Sequence, residues 1–198
     1  MEAGTLPKRA DAVRNRERVV AAAAAVFAER GVEASVPEVA ERAGVGKATV
    51  YRSFPSKEHL IAAVVIEPLA DFELRTRARL DDPDPWAAMV DLLAEGADRQ
   101  CADRAITAGI SAGIDLLPDL ADARASLWRA LAELMDRAKA QGRMHPDVAP
   151  ADLRVLWSGA ARALVADGVD DIAVWRRYVA LVLNALRADG VAAVSLGG

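Results

Sequence analysis

Ser35-Val-Pro-Glu-Val-Ala-Glu-Arg-Ala-Gly-Val-Gly-Lys-Ala-Thr-Val-Tyr-Arg-Ser-Phe-Pro-Ser-Lys57 is the stretch on which the rest of the chain turns. Ser35 and Glu38 have the spacing of a capping box, in which the hydroxyl accepts from the N3 amide and the carboxylate reaches back to the Ser35 amide. Pro37 suits a first helical turn, where its missing N–H is not needed. That helix runs from Val36 to about Ala43. Gly44, free to take the left-handed conformation, breaks it. A second short helix, Lys47 to Arg52, follows after Gly46, and Phe54-Pro55 ends it because the residue before proline disfavours the α region. Two helices crossing steeply need a small residue at the contact, which Ala40 supplies, and inward apolar residues, which Val45 and Val50 supply.

Outward from this pair the pattern stays helical. Residues 11–30 repeat Val19, Val20, Ala23, Val26 and Phe27 at helical spacing, and Val20, Ala23 and Phe27 complete a three-helix core. Downstream, helices are expected over 57–80 (with a bend at Pro68), 85–101, 103–113, 118–141, 151–166 and 171–189. Asp84-Pro85 starts one of them, and Gly142, Gly168 and Gly190 stand just past three ends. The 198 residues include 44 Ala, and aromatics make up 5%, a composition that favours helix. The reading is all-α with about nine helices: a helix-turn-helix domain over 1–55 and a larger helical domain over 56–198.

Composition also excludes. Cys101 is the only cysteine and His59 and His145 the only histidines, so no disulfide framework or thiolate zinc site arises within one chain, no metal site is expected, and a cytoplasmic location fits. No uncharged apolar run approaches ~18 residues, so no membrane span or membrane partner is expected. The N-terminus lacks the apolar core of a secretory signal. Net charge is −4, but residues 1–60 hold 10 Lys/Arg against 8 Asp/Glu and residues 61–198 hold 15 against 21, a mildly basic module on an acidic body. On the basic module the second short helix leaves Lys47, Thr49, Tyr51, Arg52 and Ser53 on its outer face, a mixture suited to a DNA groove.

The segment from Arg14 to His59 resembles the tetracycline-repressor (TetR) family of bacterial one-component regulators. The likeness rests on Phe27-Ala-Glu-Arg-Gly31, Val39-Ala-Glu-Arg-Ala-Gly-Val-Gly-Lys-Ala-Thr-Val-Tyr51 and Phe54-Pro-Ser-Lys-Glu-His-Leu60. It covers about a quarter of the chain. It implies that Ser35 meets a phosphate through its hydroxyl or amide, that Lys47, Ala48, Thr49, Tyr51 and Arg52 enter or edge the major groove with Ser53 beside them, and that Lys57 meets a phosphate at the next helix start. Helix N-terminal amides at 47–49 and 57–58 suit phosphate oxygens, and Arg52 can grip a guanine edge or a phosphate. Gly46 departs from the family, which usually has Ser or Thr there, so a contact at Gly46 is backbone only. Lys8, Arg9 and Arg14 either add phosphate contacts or belong to a solvated arm.

The resemblance further implies an effector cavity among the body helices. Candidate lining residues are Trp86, Met89, Val90, Leu93, Ile106, Ile110, Ile114, Leu127, Trp128, Leu131 and Met135, which read one by one as packed core and together point to a largely apolar effector. A reading head of this size needs a dimer to hold two heads about 34–36 Å apart. The candidate interface is two stripes: Leu153, Leu156, Trp157, Ala160 and Leu164, then Trp175, Tyr178, Val179, Val182, Leu183 and Leu186. The partners so expected are double-stranded operator DNA, a small effector and a second copy of the chain; no cofactor and no enzymatic activity are expected. The function that follows is a ligand-responsive transcriptional regulator, most simply a repressor released by its effector. The alternatives are a small-molecule carrier or enzyme with a vestigial helix-turn-helix, and a general chromosome-coating protein. Gly109-Ile-Ser-Ala-Gly113, with Asp115 or Asp119 and then His145, matches a nucleophile-elbow order, but that elbow needs a strand before the serine, and none is expected here.

Overall fold

A computed structural model describes residues 6–31, 33–103 and 117–189, with side chains from residue 11 onward. The chain is all-α. Among the described residues there are eight helices: α1 Leu6–Arg30, α2 Val36–Ala43, α3 Lys47–Ser53, α4 Lys57–Ala78, α5 Pro85–Ala102, α6 Pro118–Ala140, α7 Pro150–Ala166 and α8 Ile172–Leu186. The helix expected over 103–113, Ile106, Ile110, Ile114 and the Gly109–Gly113 pattern lie outside the described residues. The last helix stops three residues earlier than its apolar pattern predicts. Arg187 leaves the helical region and pairs antiparallel with Met144; the His145 amide donates to the Leu186 carbonyl at 3.0 Å and the Ala188 amide to the Arg143 carbonyl at 3.1 Å. A long-range pairing thus takes over from helix propensity.

Two compact units divide the chain, residues 1–68 with 103–121 and residues 69–102 with 122–198. In the first unit, α1 packs on α2 and both on α3. Val19, Ala23, Val26 and Phe27 of α1 are buried, as are Val36, Val39, Ala40 and Ala43 of α2 and Val50 of α3. Val20 and Val45, expected inside, are only half-buried. The buried stripe of α1 runs Val19, Ala23, Val26 and Phe27, at i, i+4, i+7 and i+8, which leaves Val20 at its margin.

The turn between α2 and α3 carries the positive φ that the sequence requires. Gly44 has φ 64°, its amide donates to the Glu41 carbonyl at 3.1 Å, and the Val45 amide reaches back to the Ala40 carbonyl at 3.0 Å, closing the helix in a Schellman-type cap. Arg18 donates to the Ala43 carbonyl at 2.6 Å, and a Cβ on Gly44 would stand 3.4 Å from that guanidinium.

The second unit holds one apolar cluster built from α5, α6, α7 and α8, with Met89, Leu93, Leu134, Met135, Leu153, Trp157, Trp175 and Leu186 inside it. Trp157 and Trp175 meet edge to face, centroids 6.4 Å apart at 69°. Trp175 Nε1 donates to the Val169 carbonyl at 3.0 Å, satisfying the one polar atom that burial would strand. Where α4 crosses α5, the Phe72 ring lies 3.3 Å from where a Gly96 Cβ would be. Asp71 and Glu95 beside that crossing take Arg75, Arg79 and Arg99. Arg176 of α8 clamps Asp98 of α5 through two hydrogen bonds of 2.9 and 2.7 Å, the bidentate geometry that suits guanidinium and carboxylate. The cap read at Asp84 forms, with Ala87 donating to it, and Asp171, expected as the first residue of the last helix, stands just before it as its cap and accepts from Ala173.

Candidate nucleic-acid interface

α3 is short and two-sided. Val50 points inward and is buried, while Lys47, Ala48, Tyr51 and Arg52 are exposed and share the opposite face. Thr49 and Ser53 are half-buried at its margins. Lys47 Nζ sits 5.9 Å from the centroid of the Tyr51 ring, within reach of the ring's negative face. Gly46 is exposed at the head of the helix, and its carbonyl accepts from the Thr49 amide at 2.8 Å. Lys57, half-buried, opens α4.

The cations of this unit fall into two groups. Arg16 and Arg18 are spent on carbonyls at the C-terminal ends of α3 and α2: Arg16 donates to the Ser53 carbonyl at 3.0 Å and lies 4.3 Å over the Phe54 ring, and Arg18 holds Ala43. Cations there complement the negative end of the helix dipole. Arg14, Arg30 and Arg42 pair with Asp11, Glu38 and Glu29. Lys47, Arg52 and Lys57 hold no ion pair among the described residues, and they gather at α3 and the start of α4. The structural use of Arg16 and Arg18 is not visible from sequence spacing; the partners lie 37 and 25 residues away.

Ser35 is exposed at the start of α2, but its amide and hydroxyl both donate to Glu38 Oε2 at 2.7 Å. A phosphate at this corner would compete with that carboxylate. The Ser35 amide, then its hydroxyl, then Arg30 hold the Glu38 carboxyl below its ordinary pKa; Arg42 does the same for Glu29 and the Ser56 hydroxyl for Glu58. A carboxylate depressed in the folded state contributes stability above its unfolded pKa and loses it as pH falls through the folded value. Helix content followed by circular dichroism should therefore stay flat between pH 8 and 6 and fall only in the acid range.

Gly46 offers a direct test of the departure from the family. Its φ of −68° and ψ of 145° suit any residue, and a Cβ there meets nothing within 4 Å. Gly46→Ser adds a hydroxyl cap to α3 and removes unfolded-chain freedom, together about 0.5–1 kcal/mol of stability. Chemical denaturation should show that gain; a loss would mean the corner is strained.

The other sequence-picked residues land in the second unit. Trp86, Met89, Leu93, Leu131 and Met135 are buried, as is Leu127, and Trp128 and Val90 are half-buried against the same cluster. On α7 and α8, Leu153, Trp157, Leu164, Trp175, Val179, Val182, Leu183 and Leu186 are buried in the unit's own cluster and Ala160 is half-buried. Leu156 and Tyr178 of the two stripes are exposed, and Val155 and Leu181, outside the stripes, are exposed beside them. Both helices are apolar on two faces, and helical spacing alone does not say which face the chain keeps for itself. Among the described residues no cluster of His, Cys, Asp and Glu could hold a metal, and no helix is long and apolar enough to cross a membrane.

Comparison with known proteins agrees with this geometry. Residues 19–64 match the model of bacterial regulatory proteins of the tetR family, and residues 84–188 match the C-terminal domain of SbtR-like transcriptional regulators. Over 75 residues the chain is 36% identical to the HTH-type transcriptional regulator SAB2452 of Staphylococcus aureus (strain bovine RF122 / ET3-1); that match spans 37% of this chain and only 40% of the relative. The TetR transcriptional regulator SCO0520 of Streptomyces coelicolor is 31% identical over 87% of this chain and 98% of its own, with a TM-score of 0.60. FadR of Bacillus subtilis, solved in complex with stearoyl-CoA, shares the fold at 14% identity and a TM-score of 0.68, covering 89% of this chain and 99% of that one. With one of its two family models matching more than half of its length, the chain belongs to the TetR family of bacterial transcriptional regulators.

Proposed function

We propose that the chain is a sequence-specific operator-binding repressor of the cytoplasm, not an enzyme, and that a small, largely apolar effector releases it from DNA. Residues 1–55 read DNA, and residues 56–198 bind the effector and dimerise. The observation that carries this reading is the set of cations without ion pairs, Lys47, Arg52 and Lys57, around the exposed tip of Tyr51, while the neighbouring arginines are committed inside the unit. Lys47, Ala48, Thr49, Tyr51 and Arg52 enter or edge the major groove, with Ser53 behind them. Lys57, the Gly46 backbone and Ser35 meet flanking phosphates, Ser35 by exchanging Glu38 for phosphate oxygen.

Two copies place two heads on a palindromic site. The face they share is the exposed apolar one, Val155 and Leu156 of α7 with Tyr178 and Leu181 of α8. The effector enters the cluster around Trp86, Met89, Leu93, Trp128, Leu131 and Met135. The reading is supported by FadR of Bacillus subtilis, which shares the fold and was solved in complex with stearoyl-CoA, a ligand with a long apolar chain. By reciprocity, operator must weaken effector binding by the factor that effector weakens operator binding.

The test is footprinting on the DNA that flanks the chain's own gene, with two variants. A short palindromic footprint is expected. Tyr51 is 41% exposed, so Tyr51→Ala should leave folding intact and reduce operator affinity by about tenfold or more, the value of one good groove contact. Lys57→Ala should lower the slope of log affinity against log salt by about one unit. Uniform coverage of DNA, no footprint, or unchanged affinity and slope in both variants would overturn the reading.

A further inference from the structure

A cavity is lined by residues of the first unit alone. It measures about 250 Å³, and its wall runs along one face of α4, His59, Ala62, Ala63 and Ile66, at the i, i+3, i+4, i+7 spacing that puts them in line. Arg16 and Phe54 close one side, and the first turn of α6 closes another, bringing in Asp119. The hollow exists because α4 presents two alanines where a larger residue would fill it.

Size and chemistry together define an occupant. The volume exceeds the roughly 150 Å³ that holds a single benzene ring and falls short of the roughly 300 Å³ at which drug-sized sites begin. The bed is apolar, with the Phe54 ring in it. Two charged side chains line it, the Arg16 guanidinium and the Asp119 carboxylate, together with His59, whose Nδ1 is taken by the Ser56 hydroxyl at 2.9 Å. The geometry points to a binding site for a small aromatic carboxylate, ring against the alanine face of α4, carboxylate on Arg16.

Occupancy has a consequence that depends on where Arg16 is now committed. Its guanidinium donates to the carbonyl of Ser53, the last residue of α3. A carboxylate is the stronger acceptor, so the ligand competes with Ser53 for Arg16 and loosens the C-terminal end of the DNA-reading helix. This input acts on the head itself. The binding claim does not depend on the proposed function; only the effect on DNA does.

Isothermal titration of the full chain with benzoate and 1-naphthoate, and with benzyl alcohol as the uncharged control, tests it. Both carboxylates should bind in the low-millimolar range or tighter, and benzyl alcohol at least tenfold more weakly. Ala63→Met fills the hollow and should abolish carboxylate binding. Arg16→Gln should weaken it at least tenfold while leaving the benzyl alcohol response unchanged; if Arg16→Gln does not fold, Ala63→Met decides alone. Absence of carboxylate binding, or binding that survives Ala63→Met, overturns the site. Carboxylate binding that obeys both variants in a protein without any operator footprint would sustain the site and sink the DNA reading, so the two failures are distinguishable.

Discussion

Trp175→Ala is expected to destabilise the second unit by about 3–5 kcal/mol, the range for deleting a buried tryptophan or phenylalanine. Trp175 is 1% exposed. Its ring fills the seam between α7 and α8 against Trp157, and its Nε1 satisfies the Val169 carbonyl at 3.0 Å in the turn that joins those helices. Alanine removes the ring, opens a cavity beside Trp157, and strands a partly buried carbonyl. Trp175→Phe keeps most of the volume and loses the hydrogen bond, so it should cost less, on the order of 1–3 kcal/mol for the unpaired group plus imperfect packing. Against a typical total of about 5–15 kcal/mol, the alanine variant should be largely unfolded at modest urea concentrations, read by circular dichroism because fluorescence would lose a reporter with the mutation. A change below about 1 kcal/mol would mean that the seam repacks and that the tryptophan pair is not what closes it.

What the sequence made legible, and what it hid, divides along the range of the interactions. Glu38, Gly44 and Asp84 were readable because cap chemistry is settled within a few residues, and the structure has Glu38 accepting from the Ser35 amide, Gly44 at positive φ and Asp84 accepting from Ala87. The outer face of α3 was readable for the same reason: seven residues with one buried valine leave little choice of face. Arg16 and Arg18 were not, since a guanidinium declares its partner only when a distant helix end arrives beside it. The end of α8 was misjudged because the pairing of Arg187 with Met144 is invisible along the helix. The division of α7 and α8 into inner and outer faces was not legible, for a further reason. Tryptophan and leucine on both sides of a helix signal two burials without saying which is internal, and here the unit's own cluster takes most of the two stripes while Leu156 and Tyr178 stay exposed.

That division of faces leads to the other large expected effect. Leu156 and Leu181 are 42% and 52% exposed, with Val155 and Tyr178 beside them, and a Cβ on Gly159 would meet nothing within 4 Å, so a second helix could approach α7 closely at that point. Apolar side chains gathered on two adjacent helices mark an association surface, and a two-fold pairing of this face with its own copy makes each helix pair part of a four-helix bundle. Leu156→Glu with Leu181→Glu places like charges at the centre of such an interface. Because both side chains are exposed in the chain, the double variant should keep its stability within about 0.5 kcal/mol per site. Sedimentation should show a dimer for the unaltered chain and a monomer for the double variant. Operator affinity should then fall by about 10²-fold or more, because the second head no longer binds at the effective concentration that its tether provides. A double variant that stays dimeric moves the interface elsewhere on the chain. A monomer that binds its palindrome with undiminished affinity would mean that one head suffices, and the spacing between heads could then no longer be the quantity on which release by an effector acts.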